Sequence, residues 1–99
     1  MILKQHERGL TVLLDGEIDH HASKTIREEI DTAIYETVPD ELVLDFSIVS
    51  FMDSSGIGLV LGRYKVMHEN GGSIVIEGAT QPIVKVMKLS GVDKLARIR

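Results

Sequence analysis

The sequence predicts an α/β fold: one domain over residues 1–99, with a mixed four- to five-stranded sheet, an antiparallel N-terminal hairpin and parallel β-α crossovers after it. Helices are expected mainly on one face of the sheet. Three observations lead there. Short β-branched runs alternate with stripes at helical spacing, the pattern of parallel strands joined by crossovers. Such crossovers are right-handed, so strands added one beside the next leave successive helices on the same side. Finally, 99 residues with 43% hydrophobic content fill one modest core and not two.

In chain order, Ile2 to Gln5 reads as a short edge strand and Arg8-Gly9 as a turn, and Leu10 to Asp15 is a stronger strand. The short connection makes these two a hairpin. Positions 22, 26, 30, 33, 34 and 37 form a helical stripe, with Lys24, Arg27, Glu28 and Asp31 off it. Asp19 is placed to cap that helix and Pro39 lies just past its end. Leu42 to Phe46 is a buried-strand run, and a second helix follows the stretch Ser50 to Gly62 until Asn70-Gly71-Gly72 stops it. Ser73 to Glu77 is the next strand. A third helix has Pro82 in its first turn, an inner face of Ile83, Val86 and Met87, and an end at Ser90-Gly91. Leu95 to Ile98 reads as a last edge strand, with a helical turn as the alternative.

The chain is organised around residues 50–62. A strand delivers it to this stretch and a helix leaves, and Asp53, Ser54 and Ser55 all carry oxygens able to cap that helix. Stepping about 100° per residue from Ile57 gathers Ile57, Val60, Leu61, Tyr64, Met67 and His68 on one side as the inner face. Ser55, Leu59, Gly62 and Val66 then form an apolar or small strip on the opposite side, where a lone protein would carry charge. Exposed, such a strip suits docking by another protein; the alternative is a helix buried on both sides.

Phe51-Met52-Asp53-Ser54-Ser55-Gly56-Ile57-Gly58, followed by Leu61-Gly62-Arg63-Tyr64-Lys65, resembles the central motif of bacterial anti-sigma factor antagonists, the STAS-domain proteins, and most closely their sporulation type. Gly16-Glu17-Ile18-Asp19-His20-His21 resembles the family's second-strand exit and first-helix entry. The two motifs stand at the family's usual separation. The resemblance implies that Ser54 is phosphorylated by a cognate anti-sigma factor that is itself a serine kinase and carries the ATP or ADP. It also implies a serine phosphatase that resets the site. In this reading the unphosphorylated chain binds the anti-sigma factor and releases the sigma factor. Partner contacts are expected at Asp19, His20, His21, Asp53, Ser55, Gly56, Leu59, Gly62 and Val66. From position alone Ser54 is a helix cap, and Asp53 is a second cap, an orienting group for Ser54 or a kinase contact.

Other classes fit less well. A STAS scaffold or stressosome-type module is the alternative within the family, and a small serine hydrolase the alternative outside it. Met52 stands where a nucleophile elbow needs glycine, and Leu61 stands where a dinucleotide fingerprint needs its third glycine. Zero cysteines exclude disulfides and thiolate metal sites. Asp19, His20 and His21 lack metal-ligand spacing to His6 or His68. Neither cofactor nor metal is expected. A formal charge of −4 argues against nucleic acid. No apolar run is long enough to span a bilayer and no signal-peptide pattern is present, so a cytoplasmic protein, monomeric when free, is expected.

Overall fold

The computed structural model describes residues 1–99. Strands β1 (Ile2–His6), β2 (Gly9–Ile18), β3 (Glu41–Met52), β4 (Ser73–Glu77) and β5 (Arg97–Ile98) form one sheet in sequence order, interleaved with helices α1 (His20–Thr37), α2 (Ser54–Glu69) and α3 (Gln81–Leu89). The β1–β2 pair is antiparallel and every later pair is parallel. Sheet order and sequence order coincide because each crossover adds its strand beside the last.

The core lies on the face where the strands meet the helices. Leu10, Val12 and Leu14 of β2, Leu42, Leu44 and Phe46 of β3, and Ile74 and Ile76 of β4 pack with Ile30 and Ile34 of α1, Val60 and Met67 of α2, and Ile83 and Met87 of α3. All three helices therefore share one face, as the crossover rule requires. With no Trp and two Phe in the chain, aliphatic side chains fill this volume. The opposite face is rimmed by Lys4, Glu41, Asp45, Glu77 and Arg97, whose charges stay accessible to water. No helix is long and apolar enough to cross a membrane.

Several elements differ from expectation. β3 runs on to Met52 instead of ending near Phe46, because β2 also continues to Ile18 and the two remain paired through Ile18 and Met52. Two register shifts in this pair, between Leu13 and Asp15 and between Gly16 and Glu17, are bulges that admit extra residues into β3 and re-aim its end. In α3, Ile83 and Met87 are buried but Val86 is 41% exposed, so the inner face is narrower than the stripe suggested. The C-terminal segment divides: a 3₁₀ turn at Val92–Lys94 precedes β5, which pairs with Val75 and Ile76. Val38, not glycine, closes α1 in the left-handed region, at φ 45°.

At Gly9 two backbones come together: a Cβ there would run into the Glu41 carbonyl oxygen and approach the His6 ring. Backbone cannot swing aside as a side chain can. Gly9→Ala is therefore expected to cost about 1–3 kcal/mol of stability, read as a lowered urea midpoint. An unchanged midpoint would mean that β2 and β3 can separate there freely.

Candidate functional site

Two parallel strands end side by side, and each hands its chain to a helix through an aspartate. Ile18 pairs with Met52 as the last rung of the β2–β3 ladder, and the Asp53 amide donates to the Ile18 carbonyl at 3.2 Å. Asp19 and Asp53 thus stand at equivalent positions, one step past the rung. Asp19 Oδ1 accepts from the Ala22 amide at 2.8 Å and caps α1, as expected from its position. Asp53 Oδ1 accepts from the Ser55 amide at 2.8 Å and caps α2. The site is the shared rim of two helix N-termini.

With Asp53 as the cap, Ser54 is not one. It is the first residue of α2, and its side chain is exposed. The hydroxyl is therefore free of the structural task assigned to it from position alone. The Gly56 amide donates to the Asp53 carbonyl at 3.0 Å, so the donors at residues 55 and 56 are already engaged by Asp53. An anion attached to Ser54 would stand next to the Asp53 carboxylate, with the Ser55 and Gly56 amides already taken. Asp53→Ala is expected to cost about 1 kcal/mol through loss of the cap, visible as a lowered unfolding midpoint. An unshifted midpoint would show that another group caps α2 equally well.

The helical wheel of α2 needs correction. Leu59 is 3% exposed and is part of the core, whereas Leu61 is 36% exposed and His68 is exposed and stacked on Tyr64. The residues actually turned inward are Gly56, Leu59, Val60, Arg63 and Met67. The reason is that α2 packs on two sides, against the sheet and against α1, so a single-face wheel anchored at Ile57 is rotated from the true one. The strip Ser55, Leu59, Gly62 and Val66 is accordingly not an open docking face: Leu59 is sealed, and Ser55, Gly62 and Val66 are half-buried. Gly56 does not invite a partner backbone either, because a Cβ there would strike the Met52 side chain within the protein. Gly62 and Gly58 do face open space.

Sequence reasoning missed what lies between α1 and α2. A cleft of about 510 Å³ opens there, walled by His20, His21, Ser23, Lys24 and Arg27 on one side and Ser55, Gly58 and Leu59 on the other. His20 and His21 are exposed at its mouth. The spacing of His20, Lys24 and Arg27, four and then three residues apart, does place them on one face of α1. That signal reads equally as a solvated face until α2 is known to lie opposite. Deeper along the same seam, Arg63 Nε meets Asp31 Oδ1 at 2.8 Å, with the Arg63 side chain only 5% exposed. Burial lowers the pKa of this guanidinium, with Asp31 opposing the shift.

Residues 1–99 match the STAS domain family. The chain belongs to the STAS family. Among its curated relatives, the anti-sigma F factor antagonist of Paenibacillus polymyxa is 39% identical over 95 residues, which are 95% of this chain and 81% of that protein. Among solved structures, the anti-sigma factor antagonist SpoIIAA in its unphosphorylated form superimposes on 99% of this STAS domain and 86% of that chain, with a TM-score of 0.85 at 34% identity. SpoIIAA from Bacillus in the phosphorylated form covers 99% of this domain and 89% of that chain, with a TM-score of 0.78 at the same identity. This STAS domain has the SpoIIAA-like fold, here a five-strand mixed sheet with an antiparallel opening pair.

Proposed function

We propose that this protein is an anti-sigma factor antagonist whose binding is controlled by phosphorylation of Ser54. Unphosphorylated, it engages an anti-sigma factor that is also a serine kinase, which frees the sigma factor. Phosphorylated, it lets go, and a serine phosphatase restores it. ATP belongs to the partner, and this chain acts by binding in the cytoplasm, not by turnover. The observation that carries the reading is the exposed Ser54 hydroxyl at the first position of α2, relieved of capping by Asp53. A relative of the same fold in unphosphorylated and phosphorylated forms supports it.

Physically, a rigid adaptor needs a modification that changes surface charge without disturbing the core. A helix N-terminus tolerates negative charge because the helix dipole favours it there. Ser54 meets both conditions, and in this reading Asp19, His20, His21, Asp53 and Ser55 are the partner contacts proposed beside it.

The test is incubation with the anti-sigma factor of the same genome and ATP, followed by phosphosite mapping. One phosphate on Ser54 is expected, and none in Ser54→Ala, which should still bind the ADP-loaded partner. Label on Ser55 in the unmodified chain would overturn the assignment.

A further inference from the structure

We infer that the cleft between α1 and α2 receives an acidic segment of the anti-sigma factor, with Lys24 and Arg27 as its anchoring cations. The inference rests on the functional reading above and adds the chemistry of the partner to it. In a chain with 15 acidic and 11 basic residues, a cleft without a single carboxylate in its wall departs from the average surface. Its charged side chains are Lys24 and Arg27, joined by His20 and His21 at the mouth. Neither Lys24 nor Arg27 has a carboxylate within ion-pair distance.

Of the acids on the adjoining turns, the exposed Glu28 carboxylate lies outside the cleft wall and makes no ion pair, and the others hold structural posts. Asp19 and Asp53 hold helix caps, and Asp31 holds Arg63. Arg27 also lies close enough to Arg63 for the two positive charges to oppose each other, so the seam stays cationic toward its inner end. Leu59 is the one apolar group in the wall, which makes the cleft unsuited to an apolar helix. Gly58 leaves open space on the α2 side, where a partner backbone can approach closely. What complements this surface is an extended segment bearing Asp or Glu.

The same placement couples the cleft to Ser54. Ser55 forms part of the wall, so a phosphate on the preceding residue adds about −1.5 to −2 charges beside the cleft, a field that physiological salt screens over roughly 8 Å. An acidic occupant is then repelled by the phosphate. The switch would act through the occupant's charge as well as through steric exclusion.

The experiment compares the wild-type chain with the double reversal Lys24→Glu/Arg27→Glu, measuring affinity for the ADP-loaded anti-sigma factor of the same genome across a salt series. The reversal should weaken binding roughly tenfold or more and flatten its salt dependence, while the far-ultraviolet circular dichroism spectrum stays that of the folded wild type because both side chains are exposed. Equal affinity and equal salt slope in the two chains overturns the inference alone. A wild-type chain that fails to bind the anti-sigma factor overturns the functional reading and the inference together. Saturable sub-millimolar binding of inorganic phosphate to the free wild-type chain, abolished by the reversal, would assign the cleft to a small anion and overturn the acidic segment.

Discussion

Phosphorylated at Ser54, the protein is expected to bind its anti-sigma factor roughly two to four powers of ten more weakly than the unmodified form, since an unpaired charge in an interface costs about 3–5 kcal/mol. The geometry makes the full penalty plausible on physical grounds. Asp53 already uses the amides of Ser55 and Gly56, so they cannot neutralise the new phosphate. Its charge stays at the surface, next to a carboxylate, where a docked partner would have to bury it. Calorimetric titration of the two forms against the ADP-loaded partner measures the difference. Far-ultraviolet circular dichroism should be superimposable for both, because the Ser54 side chain is exposed at the start of α2. Ser54→Asp should fall between the two, as one carboxylate carries less charge than a phosphate. Equal affinities for the phosphorylated and unmodified forms would remove the switch altogether.

Asp31→Ala is expected to destabilise the fold by about 3 kcal/mol or slightly more, the cost of leaving a buried guanidinium without its counter-ion. Arg63 is the one buried charged side chain in the protein, and its Nη1 has no hydrogen-bond partner even with Asp31 in place. The 2.8 Å contact is an ion pair whose angles fall short of a hydrogen bond, so most of its worth is charge neutralisation. For a domain of this size the loss corresponds to a fall in melting temperature of about 12 °C or more. The double change Asp31→Leu/Arg63→Met removes both charges while keeping apolar volume, and should recover most of the stability. Denaturant melts of the two single variants and the double variant decide it: losses that simply add would show that the pair is not coupled. Because α2 rests on α1 through this contact, Asp31→Ala should also loosen the seam that shapes the cleft.

How far each feature was legible depends on how local its cause is. The order of strands and helices, the capping aspartate at residue 19 and the strand at Ser73–Glu77 follow from residue spacing and short-range hydrogen bonding, and the structure has all three. The extension of β3 to Met52 was not legible, because it depends on β2 continuing beside it through two bulges. Ser54 and Asp53 were recognisable as a pair of helix-start residues, but which of them caps was decided by the backbone angle at Asp53, set by the last rung to Ile18. The inward turn of Leu59 was misread for the same kind of reason, and that of Arg63 was not foreseen. A wheel ranks the sides of one helix, and cannot say that a second helix covers another side.

By itself, then, the amino-acid order determined that strands would alternate with helices, that the helices would share one face, and that an aspartate-serine pair would sit where a strand gives way to a helix. Those outcomes come from periodicity, handedness and capping, which act over a few residues at a time. Only the tertiary structure decided that Ser54 would be the free hydroxyl, that Arg63 would be buried against Asp31, and that Lys24 and Arg27 would face α2 across a cleft. Each of these depends on residues far apart in the chain being brought together by packing, and packing selects one arrangement among several that local preferences leave equally open.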